Sequence, residues 1–398
     1  MFRFALAALL LPAAALPQPA PMFRGNLRHT GVYDAPGVRT PPRVKWKFQT
    51  GARVISSPAI AGGAIYFGSV DQHLYALDLE SGRQKWKYKT ESAVTSSPAV
   101  SAGTVYFGSF DGNFYALDAA AGKLKWKFAT EGERRFTAKG IHALQPKGEW
   151  MPDPWDFYLS SPAVANGVVY FGSGDGHIYA LDAANGALKW KVRTAGVVHS
   201  SPAVAGGIVY AGSWDSFLYA LDAATGRQIW RYKTGEDPTN HNQVGIQGSP
   251  AVVDGTVYFG CRDSKVYALD AQTGKKKWEF TNNGSWVLNS PAVDGGKLYF
   301  GTSDTARFYI LNAATGSPLF SMDAKMPSTL RPRSPEALFT SGLSEANFTR
   351  STSTHAGNCG SGRATLRSRT RRSSPGGTGI STSWPPWART STRRWSPE

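Results

Sequence analysis

Cysteine is nearly missing from this 398-residue chain: Cys261 and Cys359 stand far apart and give no disulfide framework. No segment reaches the roughly 18 uninterrupted apolar residues of a membrane-spanning helix. The HEXXH, GxSxG, P-loop and CxxC patterns are absent, and no nucleophile pairs with a base in sequence. Acidic residues are scarce, 28 Asp and Glu against 44 Lys and Arg, for a net charge of +16. That excess is uneven. From Pro327 onward 11 Arg, no Lys, no Asp and 3 Glu contribute +8, and the first 326 residues carry the other +8. A charge that modest over the well-patterned part gives no reason to expect a nucleic-acid partner.

Glycine (43), proline (25) and aromatics (12%) are plentiful instead, the composition of many short strands and tight turns. Aligning on the triplet SPA brings out six copies, at Pro58, Pro98, Pro162, Pro202, Pro250 and Pro291, spaced 40, 64, 40, 48 and 41 residues apart. Asp78, Asp118, Asp182, Asp222 and Asp270 follow 20 residues after each of the first five prolines, and Asn312 takes the place in the sixth. Eight residues later come Trp86, Trp126, Trp190, Trp230 and Trp278, then Phe320. A period near 40 marks a propeller or solenoid. Each copy reads as four strands, SPAV, VVYFGS, HIYALD and LKWKF in one register, separated by Gly turns of the type Asp222 to Gly226. A lone four-stranded sheet cannot bury both faces, so the copies must pack around an axis. The expected fold is an all-β propeller of four-stranded antiparallel blades, with Trp86, Trp126, Trp190, Trp230, Trp278 and the earlier Trp46 as docking devices between blades.

The segments ALDAATGRQIW, ALDAAAGKLKW and ALDAQTGKKKW resemble the tryptophan-docking repeat of the pyrroloquinoline-quinone (PQQ) propeller superfamily, and PMFRGNLRHTGVY resembles the opening of its secreted bacterial members. The resemblance spans residues 21–322. It implies one of two functions, since that superfamily holds both quinoprotein dehydrogenases and non-catalytic, BamB-like scaffolds. PQQ is thereby implied only as a family possibility. The vicinal Cys pair typical of the dehydrogenases is absent, and no carboxylate–amide grouping has a calcium-site spacing. The expectation is therefore no resident cofactor or metal, no catalytic residue, and a monomeric binding or scaffold protein for a protein or envelope partner. The alternative is a PQQ-dependent dehydrogenase or a sensor of a small ligand such as a quinone.

Irregular parts of a repeat are where a partner site is expected. The docking Trp and the next SPA proline are 12 or 13 residues apart, except 36 after Trp126 and 20 after Trp230. Both insertions connect consecutive blades and so emerge on one face. The first offers Arg134, Arg135, His142, Trp150, Asp153, Trp155 and Asp156; the second offers His241. Three positions before the SPA proline, His199 and Gln247 stand at the channel mouth on successive blades. Arg134, Arg135, His142, Trp150, Trp155, His199, His241 and Gln247 are the candidate rim for a protein or peptide.

Residues 1–20 read as a signal peptide, with Arg3 before the apolar run Phe4 to Leu11 and small residues from Ala13 to Ala15. No lipid-attachment Cys follows, so a periplasmic or secreted location is expected. At the other end, residues 323–398 break the repeat. The last 72 residues contain no Val and no Tyr, and Arg, Ser and Thr make up 36 of them. Shifting the reading frame lets Thr329 to Gly342 spell SSPAVAGGALYVGS, restoring the repeat's spacing, so the tail reads as an out-of-frame seventh blade and part of an eighth. Six blades would then leave the ring unclosed, with eight expected in an intact parent, and Val44 to Thr50 would be an outermost strand without its inner partners.

Overall fold

In a computed structural model, residues 21–33, 44–139, 150–235, 244–282, 284–303, 305–323 and 348–349 are described. Six four-stranded antiparallel sheets account for nearly all the regular structure, and among the described residues there is no helix. Blade 1 runs Ala59–Ala61, Ala64–Gly68, His73–Asp78 and Gln84–Lys89, from the innermost strand to the outermost. Blades 2 to 6 repeat it, with innermost strands Ala99–Ser101, Ala163–Ala165, Ala203–Ala205, Ala251–Val253 and Ala292–Asp294. Their outermost strands are Leu124–Ala129, Leu188–Arg193, Gln228–Lys233, Lys276–Thr281 and Pro318–Asp323.

The SPA triplet has a physical reason. Its serine hydroxyl accepts the backbone N–H of the serine one blade earlier: Ser57 to Ser97 (2.9 Å), Ser97 to Ser161 (3.0 Å), Ser161 to Ser201 (2.9 Å), Ser201 to Ser249 (2.9 Å) and Ser249 to Ser290 (3.0 Å). These bonds pin the innermost strands side by side around the axis without a continuous sheet. The proline that follows has no N–H to leave unpaired there.

The seams are made by the indoles, as the repeat implies. Trp190 Nε1 donates to the carbonyl of Ala223 in the next blade at 3.0 Å, and the Tyr170 hydroxyl donates to the same oxygen at 3.0 Å. Trp86, Trp126, Trp230 and Trp278 do likewise, to Ala119, Ala183, Ala271 and Ala313. The ring lies flat on the glycine that closes the receiving Asp-x-x-x-Gly turn. Gly226 has φ +73°, and a Cβ on it would meet the Trp190 ring at 2.7 Å, so glycine is required twice over. Each seam buries Tyr, Leu, Val and Ala from two neighbouring sheets, for example Tyr170, Trp190, Val209 and Tyr219.

Trp46 docks the same way on blade 1, donating to Leu79 at 3.0 Å. The segment 44–50 that carries it pairs with no strand among the described residues. At the other end of the array, Phe320 and Met322 of blade 6 are 49% and 47% exposed, where the docking tryptophans of blades 1 to 5 are 8–9% exposed. The shifted-frame reading of the tail falls outside the described residues apart from Phe348–Thr349, and the signal segment falls wholly outside them.

One end of the axis is crossed by residues 21–31. Pro21, Leu27, Arg28 and Thr30 offer carbonyls to Val100, Val204, Val252 and Val293, all on innermost strands. His29 is buried there at 1% exposure; burial, then the charge of Arg24, pushes its imidazole down to about 3 despite a bond to the Pro250 backbone, so it is neutral.

Candidate functional site

At the opposite end of the innermost strands the first insertion folds back over the channel mouth. The turn before the third strand makes this possible in one blade. In the turn before the third strand of blades 1 to 5, equivalent positions are held by Val70, Phe110, Gly174, Trp214 and Arg262. A Cβ on Gly174 would lie 2.2 Å from the Arg134 carbonyl, so the bare glycine of blade 3 is what lets the loop backbone enter.

Three loop carboxylates then meet two propeller cations. Asp153 Oδ2 accepts from Arg262 NH1 at 2.5 Å, Asp156 Oδ1 lies 2.6 Å from His199 Nδ1, and Glu133 Oε1 lies 2.8 Å from His199 Nε2. The side chains of Asp153, Asp156, His199 and Arg262 are wholly buried. Burial alone would drive the His199 proton off. The charge and hydrogen bond of Asp156, then those of Glu133, overcome it and hold the imidazolium up at about 10. Burial likewise pulls the Arg262 guanidinium down, opposed by Asp153.

Aromatic rings complete the mouth. The Arg262 guanidinium is sandwiched between Trp214 at 4.1 Å and Trp286 at 4.3 Å, and Phe136 of the loop stacks on the outer face of Trp214 at 4.2 Å and 13°. Gln247 joins both parts: its Oε1 accepts from Arg262 at 2.8 Å and its Nε2 donates to the Trp155 carbonyl at 2.9 Å. Phe136 N donates to Asp156 at 2.6 Å and Asp153 N to the Phe136 carbonyl at 2.7 Å, so the loop's root is closed on itself as well.

Above that root the loop becomes a two-stranded hairpin, Thr137–Lys139 against Trp150–Pro152, with Trp150 69% exposed. Of the candidate rim, His199, Gln247 and Trp155 are brought together in the mouth, though His199 and Gln247 face the loop and not an open channel. Arg134 donates to the Asp175 carbonyl at 3.0 Å, Arg135 lies over Phe110 at 5.7 Å, and Trp150 stands apart on the hairpin. His142 and His241 lie outside the described residues. Sequence reasoning passed over Arg262, Trp214, Trp286 and Glu133. The readable signal for Arg262 was its position, as the one cation among residues 70, 110, 174, 214 and 262. Cys261 beside it is buried, and its thiol is pushed up by burial.

The mouth does not fit a planar, anionic quinone. Its aromatic slot is filled by the chain's own guanidinium, and its cations are already matched to the chain's own carboxylates. No cluster of three or more His, Cys, Asp or Glu suited to a metal occurs among the described residues.

Sheets of four antiparallel strands, stacked face to face through docked tryptophans, define a PQQ-repeat β-propeller. The family model described as outer membrane protein assembly factor BamB matches residues 40–145, 141–284 and 246–364, about four fifths of the sequence, and the chain belongs to that family. Among solved structures it is similar to BamB from Moraxella catarrhalis, at TM-score 0.58 and 20% identity over 74% of this chain and 88% of that one. It is also similar to a europium-containing methanol dehydrogenase, at TM-score 0.63 and 16% identity over 79% of each chain. At those identities the likeness is one of fold. No curated protein matches the chain.

Proposed function

We propose that this chain is an exported, non-catalytic propeller that serves as a binding scaffold in outer-membrane protein assembly, gripping a protein partner with its inserted rim. The observation that carries this reading is the division of the first insertion into a fixed root and a bare tip. Asp153 and Asp156 are wholly buried at the root, and a few residues before them Trp150 is 69% exposed on the hairpin. An exposed indole costs solvation unless something covers it, and tryptophan on a pre-organised support loses little entropy on binding. Membership of the BamB family supports the class of partner. The filled aromatic slot at the mouth speaks for holding over catalysis.

A photo-crosslinking residue in place of Trp150, in the full chain expressed in its own envelope, tests this. Adducts with a component of the outer-membrane assembly machinery are expected, lost when the crosslinker is moved to an exposed lysine of a blade edge such as Lys87. A bound chromophore and dye reduction after incubation with PQQ and Ca²⁺ would overturn the reading.

A further inference from the structure

The contacts between the first insertion and the mouth are unlike the rest of the fold. Strands meet through backbone ladders and seams through one indole and one carbonyl. Here charged side chains of one segment meet charged, amide and aromatic side chains of another, the pattern of a recognition interface with Trp and Arg at its centre. The receptor half belongs to the propeller: His199, Gln247, Arg262, Trp214 and Trp286. The ligand half is a compact turn, Asp153-Pro154-Trp155-Asp156, in which Trp155 N donates to Asp153 Oδ1 at 2.8 Å and Asp156 N to the Asp153 carbonyl at 3.2 Å. That turn presents one carboxylate to Arg262 at 2.5 Å, the other to His199 at 2.6 Å, and its central carbonyl to Gln247 at 2.9 Å. Two carboxylates and one main-chain carbonyl are thus read at once.

The occupying segment is not needed to connect blades. Where blades 1 and 2, and likewise 3 and 4, are joined, docking Trp and SPA proline stand 12 residues apart, against 36 at this insertion. Its removal would leave an arginine, a histidine, an amide and two indoles converging on the mouth. We propose that this mouth is a recognition site for an acidic, aromatic peptide of the form Asp-x-Trp-Asp, and that the chain's own residues 153–156 hold it closed in cis. This rests on the partner-binding reading above and supplies the partner's chemistry: a turn-forming segment with two carboxylates three residues apart. A tethered ligand competes at an effective concentration on the order of millimolar. A free peptide therefore binds well only once the loop is out.

The test uses the full chain with residues 133–156 deleted, which restores the 12-residue spacing, and the synthetic peptide MPDPWDFY copied from residues 151–158. Saturable one-to-one binding is expected by calorimetry, at least ~10-fold weaker for the intact chain, and absent for the peptide MPNPWNFY. A cooperative melt of the deleted chain without peptide binding, or equal binding of the two peptides, would overturn the proposal. Should the deletion not fold, the intact chain carrying Asp153→Asn and Asp156→Asn decides. Its loop amides are expected to exchange faster and the wild-type peptide to bind as to an open mouth; slow exchange with no binding overturns the proposal equally. Peptide binding with no adducts at position 150 would sink the assembly-scaffold reading alone, and the converse result would sink the peptide site alone.

Discussion

The seams and the mouth hold the molecule together by opposite means. Each seam is neutral and repeated: an indole such as Trp190 on a bare glycine, one N–H to one carbonyl, apolar side chains around it. The mouth is charged and made once, from an insertion in one connection and from residues such as Asp153 and Arg262 that are 109 positions apart. A repeated neutral contact can be copied from blade to blade because it asks nothing of its surroundings beyond shape. A buried ion pair needs every member in place, since each uncompensated charge left behind costs several kcal/mol. Seams therefore suit the frame of the molecule, and the mouth suits a junction that is either fully formed or open.

The sharpest break in that comparison is at a seam. Trp190→Ala removes the largest side chain between blades 3 and 4 together with its hydrogen bond to Ala223. We expect a loss of about 3–5 kcal/mol, read as a fall in the denaturation midpoint by intrinsic fluorescence. A loss below about 1 kcal/mol would mean that the indole is not what joins the sheets.

At the mouth, Arg262→Ala leaves Asp153 buried beside Gln247 and two facing indoles. About 3 kcal/mol is expected, the low end for a broken buried pair because the opened loop readmits water. Arg262→Lys should recover little of it, as an ammonium cannot fill the flat slot between Trp214 and Trp286 while also reaching both Asp153 and Gln247. Limited proteolysis distinguishes this from a seam defect: cleavage should concentrate in the first insertion with the blades intact.

The same contrast has a pH signature. His199 is held protonated well above the ordinary histidine value of 6.5, at about 10, because Asp156 and Glu133 more than offset its burial. A raised folded-state value means stability that is fully present below 6.5 and lost as pH climbs through the folded value, by at most about 1.4 kcal/mol per pH unit between them. Melting points across that window should fall for the native chain and stay level for His199→Gln. Seam variants should run parallel to the native curve, since the seam tyrosines such as Tyr170, pushed up from the ordinary value of 10 by burial, keep their protons across that window. A native curve that is flat from 6.5 to 10 would remove the charged imidazole from the mouth.

What the sequence disclosed follows the same division. Trp86, Trp126, Trp190, Trp230 and Trp278 stand at a constant eight residues from an aspartate, and constancy of spacing is visible without coordinates. The serine of SPA was visible too, but its bond to the next blade was not, because it joins residues 40 to 64 apart. In the mouth, Asp153, Asp156, His199 and Gln247 were each recognisable as irregular. Which of them pair was not, since an ion pair has no period. Glu133 and Arg262 were passed over within a loop and a turn; position marks Arg262, and burial alone distinguishes Glu133.

The smallest effect is the most instructive, because it concerns the seam residue where the described residues form no seam. Phe320 occupies in blade 6 the position that Trp190 holds in blade 3, yet it is 49% exposed and no sheet among the described residues receives it. Phe320→Ala should change stability by no more than about 0.5 kcal/mol, the ordinary range for an exposed site, against several for Trp190→Ala. Phe320→Trp should also be silent, since the added indole N–H finds no carbonyl. The check is a pair of denaturation curves overlaid on the native one. If Phe320→Ala instead cost as much as a seam tryptophan, a further sheet would have to be docked on blade 6, and the array would be closed where its outer face now lies bare.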